Sequence, residues 1–287
     1  MLSGLQDQLA PLKSWLFPRR VYLQLEDQAF TAMVLDGERV EWLERVPLPE
    51  GLCVNGQPTA VEALGDLVGD LLIERGFPGA RVKAVLPRAA TVWRVIAWPD
   101  AHWPDQPEVV VRQQQDQLDL PWSLQDADLR LEPLIGAPPR SLLVAVQRGL
   151  LEAWIEVFSQ AGVALDGMEP LPICLWRAAE PQLGEGVQVL LQLEQEQEQS
   201  WLLALDQGEP LGQWPLPALT ELEALIPVLK TFQRRFHPRA ALVSGEEQAV
   251  DAVLPELEGA LGCSVVWLEP RGEAPALRGL VAGDRLR

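Results

Sequence analysis

The sequence predicts a mixed α/β protein built by duplication, with two lobes of related plan. Short strand-like runs alternate with amphipathic helical stretches along the chain. One series of these elements occurs twice, in the same order and with matching letters. Leu23-Gln24-Leu25-Glu26 recurs as Leu191-Gln192-Leu193-Glu194. Leu35-Asp36-Gly37-Glu38 is echoed by Leu205-Asp206-Gln207-Gly208-Glu209, and Val46-Pro47-Leu48-Pro49 by Trp214-Pro215-Leu216-Pro217. Any one match could be chance; three in one order at similar spacings point to a duplicated unit.

Residues 1–17 read as an amphipathic helix, with Leu2, Leu5, Leu9, Leu12, Trp15 and Leu16 at three- and four-residue steps and Pro18 as its stop. Val21–Glu26, Phe30–Leu35 and Val40–Val46 are rich in β-formers and separated by turn signals such as Asp36-Gly37, which predicts an antiparallel meander. A helix follows over Thr59–Arg75, where Thr59 and Glu62 have capping-box spacing and Gly76 supplies the stop. Val82–Leu86 is a buried strand closed by Pro87. The next unit comprises a strand Val92–Trp98, a Gln-rich helix Gln106–Leu118, a strand Asp128–Ile135, a turn at Pro138–Pro139 and a strand Ser141–Val146. The helix Gly149–Ala161, the run Val163–Met168 and the helix Leu171–Ala179 complete the first half, and Gly184-Glu185-Gly186 marks the boundary. The second copy has strands Gln188–Leu193, Trp201–Leu205 and Pro210–Trp214, a helical stretch Ala218–Phe236 and a strand Ala240–Val243. The predicted organisation is therefore an N-terminal helix (1–18), a first lobe (19–182) with a unit inserted at about 91–140, and a second lobe (187–287).

Composition narrows the function. The 287 residues carry 41 acidic and 23 basic side chains, a formal charge of −18. Such a field repels phosphate backbones and anionic headgroups, so nucleic acid is not an expected partner. The basic pairs Arg19–Arg20 and Arg234–Arg235 are too short to reverse it. Cys53, Cys174 and Cys263 are far apart, odd in number and set among apolar residues, which predicts buried thiols in a reducing compartment. No apolar run reaches the ~18 residues that span a bilayer, and the N-terminus has no signal-peptide pattern; the expectation is a soluble cytoplasmic protein. His102 and His237 lie in turn-like contexts, and no pair of carboxylates is singled out, so no catalytic residue and no metal ligand is nominated. Eleven tryptophans accompany one tyrosine. Trp93, Trp154 and Trp201 sit in periodic apolar segments and read as core. Trp98, Trp103 and Trp122 lie near turns of the inserted unit and are candidates for contact with a partner.

Several ordered segments resemble one family. Val82-Lys83-Ala84-Val85-Leu86-Pro87 leads into Val92-Trp93-Arg94-Val95-Ile96, and Arg112 leads through Leu120-Pro121-Trp122 to Asp126. Leu142–Val146, Gly162-Val163 through Met168-Glu169-Pro170-Leu171, Leu242-Val243-Ser244-Gly245 and Leu277-Arg278-Gly279-Leu280 follow in order. Together they resemble the PilM-like type IV pilus assembly proteins of the actin-like (ribonuclease H-like) ATPase superfamily. The resemblance is diffuse but covers nearly the whole chain after residue 20.

That resemblance implies an actin-like duplicated fold, and it locates departures from it. The superfamily holds ATP with two hairpins of pattern Asp-x-Gly, whose backbone N–H groups face the phosphates. Here those positions are Gln24 and Glu26 in the first copy and Gln192 and Glu194 in the second, with Thr31 near the place of the family's lysine. A carboxylate facing a triphosphate is repelled by roughly 1–4 kcal/mol even with solvent screening. At the adenosine loop Ser-Gly-Gly has become Ser244-Gly245-Glu246, where Ser244 would serve as a helix N-cap with Glu247 at N3. Only Pro217–Arg239 remains where the family inserts a helical subdomain, room for one helix bent at Pro227. The implied protein is a non-enzymatic scaffold without cofactor at the cytoplasmic face of the inner membrane. Its implied partners are the cytoplasmic tail of a PilN-like inner-membrane protein and other pilus assembly proteins, which would hold it peripherally at the membrane. The tail would lie in a groove with walls from about 82–98 and 106–122. Two alternatives remain: an ATP-binding actin-like ATPase or filament former with altered loops, and a GspL-like secretion-system domain, for which a following membrane helix is expected and none is found in the sequence.

Overall fold

The computed structural model describes residues 19–98, 102–118, 120, 122–134, 139–195, 200–268 and 274–285. The helix expected over 1–17, Pro138 of the expected turn and the 196–199 tip of the second-copy hairpin lie outside the described residues.

In chain order, β1 (Arg20–Leu25), β2 (Ala29–Asp36) and β3 (Arg39–Pro47) form the first meander. A small hairpin of β4 (Cys53–Val54) and β5 (Gln57–Pro58) precedes α1 (Val61–Glu74) and β6 (Arg81–Leu86). The inserted elements are β7 (Thr91–Ala97), α2 (Pro107–Gln113), β8 (Ala127–Leu134) and β9 (Arg140–Gln147). Then come α3 (Arg148–Gln160), β10 (Ala164–Pro170) and α4 (Leu171–Ala179). The second half has β11 (Val187–Leu193), β12 (Trp201–Asp206), β13 (Glu209–Pro215), α5 (Leu222–Phe236), β14 (Ala240–Gly245), α6 (Glu247–Leu261), β15 (Ser264–Trp267) and α7 (Pro275–Arg285).

The duplication is visible in the sheets. The first runs β3-β2-β1-β6-β10 and the second β13-β12-β11-β14-β15. In each, a three-stranded antiparallel meander is extended by two parallel strands on the side of its first strand. The repeated Leu-Gln-Leu-Glu letters occupy matching rungs. Gln24 stands between Thr31 and Val85, and Gln192 between Trp201 and Ser244. A smaller sheet, β7-β9-β8, belongs to the inserted elements.

The chain forms two compact units. Of the described residues, one gathers those up to Thr91, those of Val146–Leu171 and those from Gly283; the other gathers those within Val92–Ala145 and Pro172–Ala282. In the first, alternate residues of the central strands (Val21, Leu23, Val82, Ala84) face Leu64, Val68 and Leu72 of α1 and Trp154, Val157 and Phe158 of α3. Glycines let these two helices approach closely: a Cβ on Gly69 would stand 2.9 Å from the Ala161 carbonyl oxygen. In the second unit Val189, Leu191, Ala241 and Val243 face Leu225, Leu229 and Phe232 of α5 and Val250, Leu257 and Leu261 of α6. A further core, including Ile96, Trp98, Val111, Leu124, Leu129 and Leu143, fills the inserted sheet and helix.

Helix ends differ in part from expectation. Gly76 stops α1 as its position implies, at φ +83°, with the Gly76 and Phe77 amides bonded back to the Ile73 and Leu72 carbonyls. Its start is different. Ala60 is the N-cap, and the Thr59 hydroxyl donates to the Gly51 carbonyl instead of capping the helix. Ser244 likewise is no cap. Strand β14 runs on through Gly245, which pairs with Leu193, and Glu246 precedes α6 without a side-chain cap bond. The Gln-rich helix is shorter than expected, a two-turn α2 followed by a 3₁₀ turn at Gln115–Gln117. Between β13 and β14 the single helix α5 stands, with Pro227 inside it.

Candidate functional site

The two hairpin ends are built alike. In the first, the Gln24 amide donates to Glu26 Oε1 at 2.7 Å; in the second, the Gln192 amide donates to Glu194 Oε1 at 2.5 Å. Residues two apart project on the same side of an extended strand, so a long amide and a long carboxylate at these positions satisfy one another. Around the first pair, burial pushes the Glu26 carboxyl up from its ordinary range. The Arg45 guanidinium, 2.7 Å away, and the Gln24 amide offset part of that. Thr31 is buried on β2 opposite Gln24. Asp27, next in sequence, accepts the backbone N–H groups of Asn55 (2.8 Å) and Gly56 (2.7 Å) and the Cys53 thiol (3.4 Å), which ties the β4–β5 hairpin to this turn. The same Gly56 offers its carbonyl to the Trp154 indole at 3.0 Å. Burial, and then the neighbouring Asp27 carboxylate, push the Cys53 thiol up to about 12, so it is an inert thiol. Around the second pair, the Ser200 hydroxyl accepts the Glu194 N–H at 2.8 Å, and the Gln195 amide donates to Glu246. Gly245 is locked in place: at φ +150° a Cβ there would run into the Leu193 carbonyl oxygen.

Each hairpin end thus presents an amide–carboxylate couple. Such a couple can accept a cation or a hydrogen-bond donor. At the first hairpin end the cation in contact, Arg45, is paired with Glu26.

The tryptophans separate into two classes. Trp93, Trp154 and Trp201 are 3%, 1% and 0% exposed, as their periodic settings imply. Trp98, a candidate for partner contact, is buried instead. Its indole donates to Ser141 Oγ at 2.6 Å, and its backbone N–H donates to the Pro139 carbonyl at 3.0 Å. Trp103 is 41% exposed and packs edge-on against Trp98, ring centroids 5.7 Å apart. Trp122 is partly buried against the same small core. Arg112 fastens α2 to this unit by donating to the carbonyls of Leu124 and Ala127.

One charge cluster has a signal in the sequence that composition alone does not decode: a lysine inside an apolar strand. Lys83 on β6 is buried and pairs with Glu169 of β10 at 2.9 Å and Asp284 of α7 at 2.6 Å. Tyr22 donates its hydroxyl to Asp284 at 3.0 Å, and Arg20 binds the same carboxylate at 2.9 Å. Burial by itself would raise the Asp284 carboxyl. The Lys83 ammonium, the Tyr22 hydroxyl and Arg20 reverse this and hold it below the usual carboxylate range. Arg81 grips Asp166 with its Nε and Nη2 at 3.0 and 2.8 Å. Asp284 and Asp166 thus have their charges met by Lys83, Arg20 and Arg81, and Glu169 meets Lys83 as an ion pair, which marks the cluster as structural.

His237 caps α5 in a left-handed conformation and is exposed, as is His102. Cys53 and Cys174 are buried, whereas Cys263 is only half-buried. Among the described residues no group of His, Cys, Asp and Glu is placed to hold a metal ion, and no helix is long and apolar enough to cross a membrane.

No protein-family profile and no curated protein matches the sequence. Solved structures do match the fold. The PilM–PilN type IV pilus biogenesis complex aligns over 92% of this chain and 98% of its own, with a TM-score of 0.76 and 17% identity. A Bacteroides thetaiotaomicron protein of unknown function, described as having an actin-like ATPase fold, aligns over 92% and 96% with a TM-score of 0.59 and 8% identity. The cytoplasmic domain of EpsL, an inner-membrane component of the Vibrio cholerae type II secretion system, aligns over 93% and 94% with a TM-score of 0.51 and 12% identity. The chain has the actin-like fold.

Proposed function

We propose that this chain is a non-enzymatic scaffold of a type IV pilus or related secretion assembly machine. On this reading it binds the cytoplasmic tail of an inner-membrane partner similar to PilN, works in the cytoplasm, and reaches the membrane through that partner. Fold alone does not assign function; what carries the reading is the pair of hairpin ends. In both lobes the position that resembles a phosphate turn holds a carboxylate bonded to a side-chain amide. A nucleotide placed there would meet negative charge in both copies, and each lobe would have to break its own couple first. Likeness to PilM over nearly the full length of both chains supports the pilus assignment, and likeness to the EpsL domain supports the wider class of secretion scaffolds.

Calorimetric titration with synthetic tail peptides of bitopic membrane proteins encoded beside this chain tests the reading. At least one is expected to bind in the micromolar range, and failure of every candidate at high micromolar concentration sinks it. Mg-ATP provides the opposing arm. A ligand at a hundred times its Kd stabilises the native state by about 2.7 kcal/mol. No rise in Tm is expected with millimolar Mg-ATP, and a rise of several degrees would favour the ATPase alternative.

A further inference from the structure

The negative charge of the chain is not evenly spread. From Ala224 to Gly245 the sequence holds four basic residues, Lys230, Arg234, Arg235 and Arg239, and no acidic one, in a chain of 41 acidic and 23 basic side chains. Helix α5 gives three of them one surface. Leu225, Leu229 and Phe232, at steps of four and three, are buried, while Val228, Lys230, Thr231, Arg234 and Arg235 on its other side are exposed. Arg239 lies past the helix end, and its side chain rests against Gly186.

Among the described residues none of the three helical cations meets a carboxylate. Arg234 donates from Nε to the Lys230 carbonyl at 3.3 Å and from Nη2 to the Thr231 hydroxyl at 3.4 Å. Arg235 lies over the Phe236 ring, 5.0 Å from its centre, and Phe236 is stacked on Phe232 at 4.4 Å. These contacts steady both guanidinium groups and leave N–H donors of each unmet. Nearby acids are distant or engaged. Glu223 precedes Lys230 by about 10 Å along the helix axis and Arg234 by about 16 Å. On α6, Gly262 lies beside Gln233, and Glu258, one turn earlier, accepts the Val265 N–H at 3.1 Å. The screening length at physiological ionic strength is about 8 Å, so the remote carboxylates that make the chain acidic are damped where these cations stand. Arg234 and Arg235 also complement the dipole at the end of α5. That role does not extend to Lys230, a turn earlier, or account for the lack of acidic residues from 224 to 245.

A protein partner and a charged bilayer both offer anions, and the make-up of this face separates them. Protein interfaces bury an apolar core with aromatic anchors and are poor in lysine. On α5 the one large apolar side chain exposed is Val228, at 39%; Phe232 is buried and Phe236 half-buried. Long cationic side chains without an exposed aromatic anchor suit a surface whose anions are dense and mobile, as in an acidic lipid leaflet.

We propose that the outer face of α5 is a contact for an anionic lipid surface, with Lys230, Arg234 and Arg235 on the headgroup phosphates. Each cation near such a surface multiplies partitioning by about five, so the three give on the order of a hundredfold. That is too weak to recruit the chain alone and enough to orient one already at a bilayer. The inference rests on the scaffold reading only for what brings the chain there; the contact itself needs no tail.

The test is co-sedimentation of the full chain with vesicles at millimolar lipid, of phosphatidylcholine alone or mixed with an equal part of phosphatidylglycerol. In about 0.1 M salt the acidic vesicles are expected to bind at least about tenfold more protein, and about 1 M salt should abolish the difference. The triple change Lys230→Gln, Arg234→Gln and Arg235→Gln should lose at least about tenfold. A triple of equal net charge, Arg39→Gln, Arg130→Gln and Arg148→Gln, removes exposed cations elsewhere and should keep binding; unchanged melting would show that both variants are folded. Equal binding to neutral vesicles, no binding to acidic ones, or equal loss in the two triples overturns the proposal. So does binding of a Glu-Leu-Glu-Leu-Glu peptide that depends on the three cations without vesicle binding, which would make the face a protein contact. If a partner tail binds the chain but acidic vesicles do not, this inference fails and the scaffold reading stands. If no tail binds but acidic vesicles bind through α5, the lipid contact stands and the scaffold reading falls.

Discussion

Gly279→Ala should cost at least about 3 kcal/mol, near the upper end of overpacking penalties, or prevent folding. Gly279 lies in α7 with its backbone pressed on α4: an added Cβ would overlap the Cys174 carbonyl oxygen and stand 2.6 Å from its carbon and 3.1 Å from the Ala178 nitrogen. The obstructing atoms are backbone, so no side chain can rotate away and the two helices must separate. Separation would loosen Leu277 and Leu280 on α7, both fully buried, and Leu175 on α4. Gly259→Ala in α6 is the matched control, because a Cβ there meets nothing within 4 Å. It should be neutral or stabilise by up to about 1 kcal/mol, the helix-propensity difference between the two residues. Urea denaturation of the two variants measures the contrast; equal midpoints would rule out the close crossing.

Lys83→Met should destabilise by about 3–5 kcal/mol at neutral pH, the usual loss when one member of a buried ion cluster is removed. The methionine fills the space but leaves Glu169 and Asp284 without the ammonium that lies 2.9 and 2.6 Å away. Acid gives the sign. The Asp284 carboxyl is held below its ordinary value in the folded protein, so its contribution is present above the ordinary carboxylate range and lost as pH falls through the folded value. Without Lys83 that depression weakens, and the gap between variant and wild type should narrow as the pH is lowered into the carboxylate range. A gap that stays constant across that range would show that packing, and not charge, accounts for the loss.

The duplicated plan was legible because alternation in the strands and the repeated Leu-Gln-Leu-Glu runs are local signals, and both copies of that run fall on the same rung of their sheets. Helix starts were less legible. The Thr59–Glu62 spacing is correct for a capping box, but the Thr59 hydroxyl finds the Gly51 carbonyl first. Ser244 follows the same logic, because Gly245 carries the strand one residue further. Burial of Trp93, Trp154 and Trp201 was legible from their periodic settings, but that of Trp98 was not. Trp98-Pro99-Asp100 and Trp103-Pro104-Asp105 are the same three letters, yet Trp98 is core and Trp103 is surface. Trp98 packs in the core of the inserted unit and gives its indole N–H to Ser141, 43 residues further along the chain. Lys83 is a charge in a strand read simply as buried, and one of the partners that explain it, Asp284, lies 201 residues away.

The amide–carboxylate couples also bear on how this chain can evolve. A change of Gln24 alone leaves Glu26 with Arg45 as its donor, whereas a change of Glu26 alone takes the acceptor from both the Gln24 amide and Arg45. Both couples are part-buried, so an unmet group there costs less than the ~1–3 kcal/mol of a fully buried one. Each couple is therefore exchanged through a modestly less stable intermediate, and the second lobe sets the same obstacle again at Gln192 and Glu194. Drift that alters side chains one at a time meets a barrier at both hairpins, so the two couples should persist in descendants of this chain even where the surrounding surface diverges.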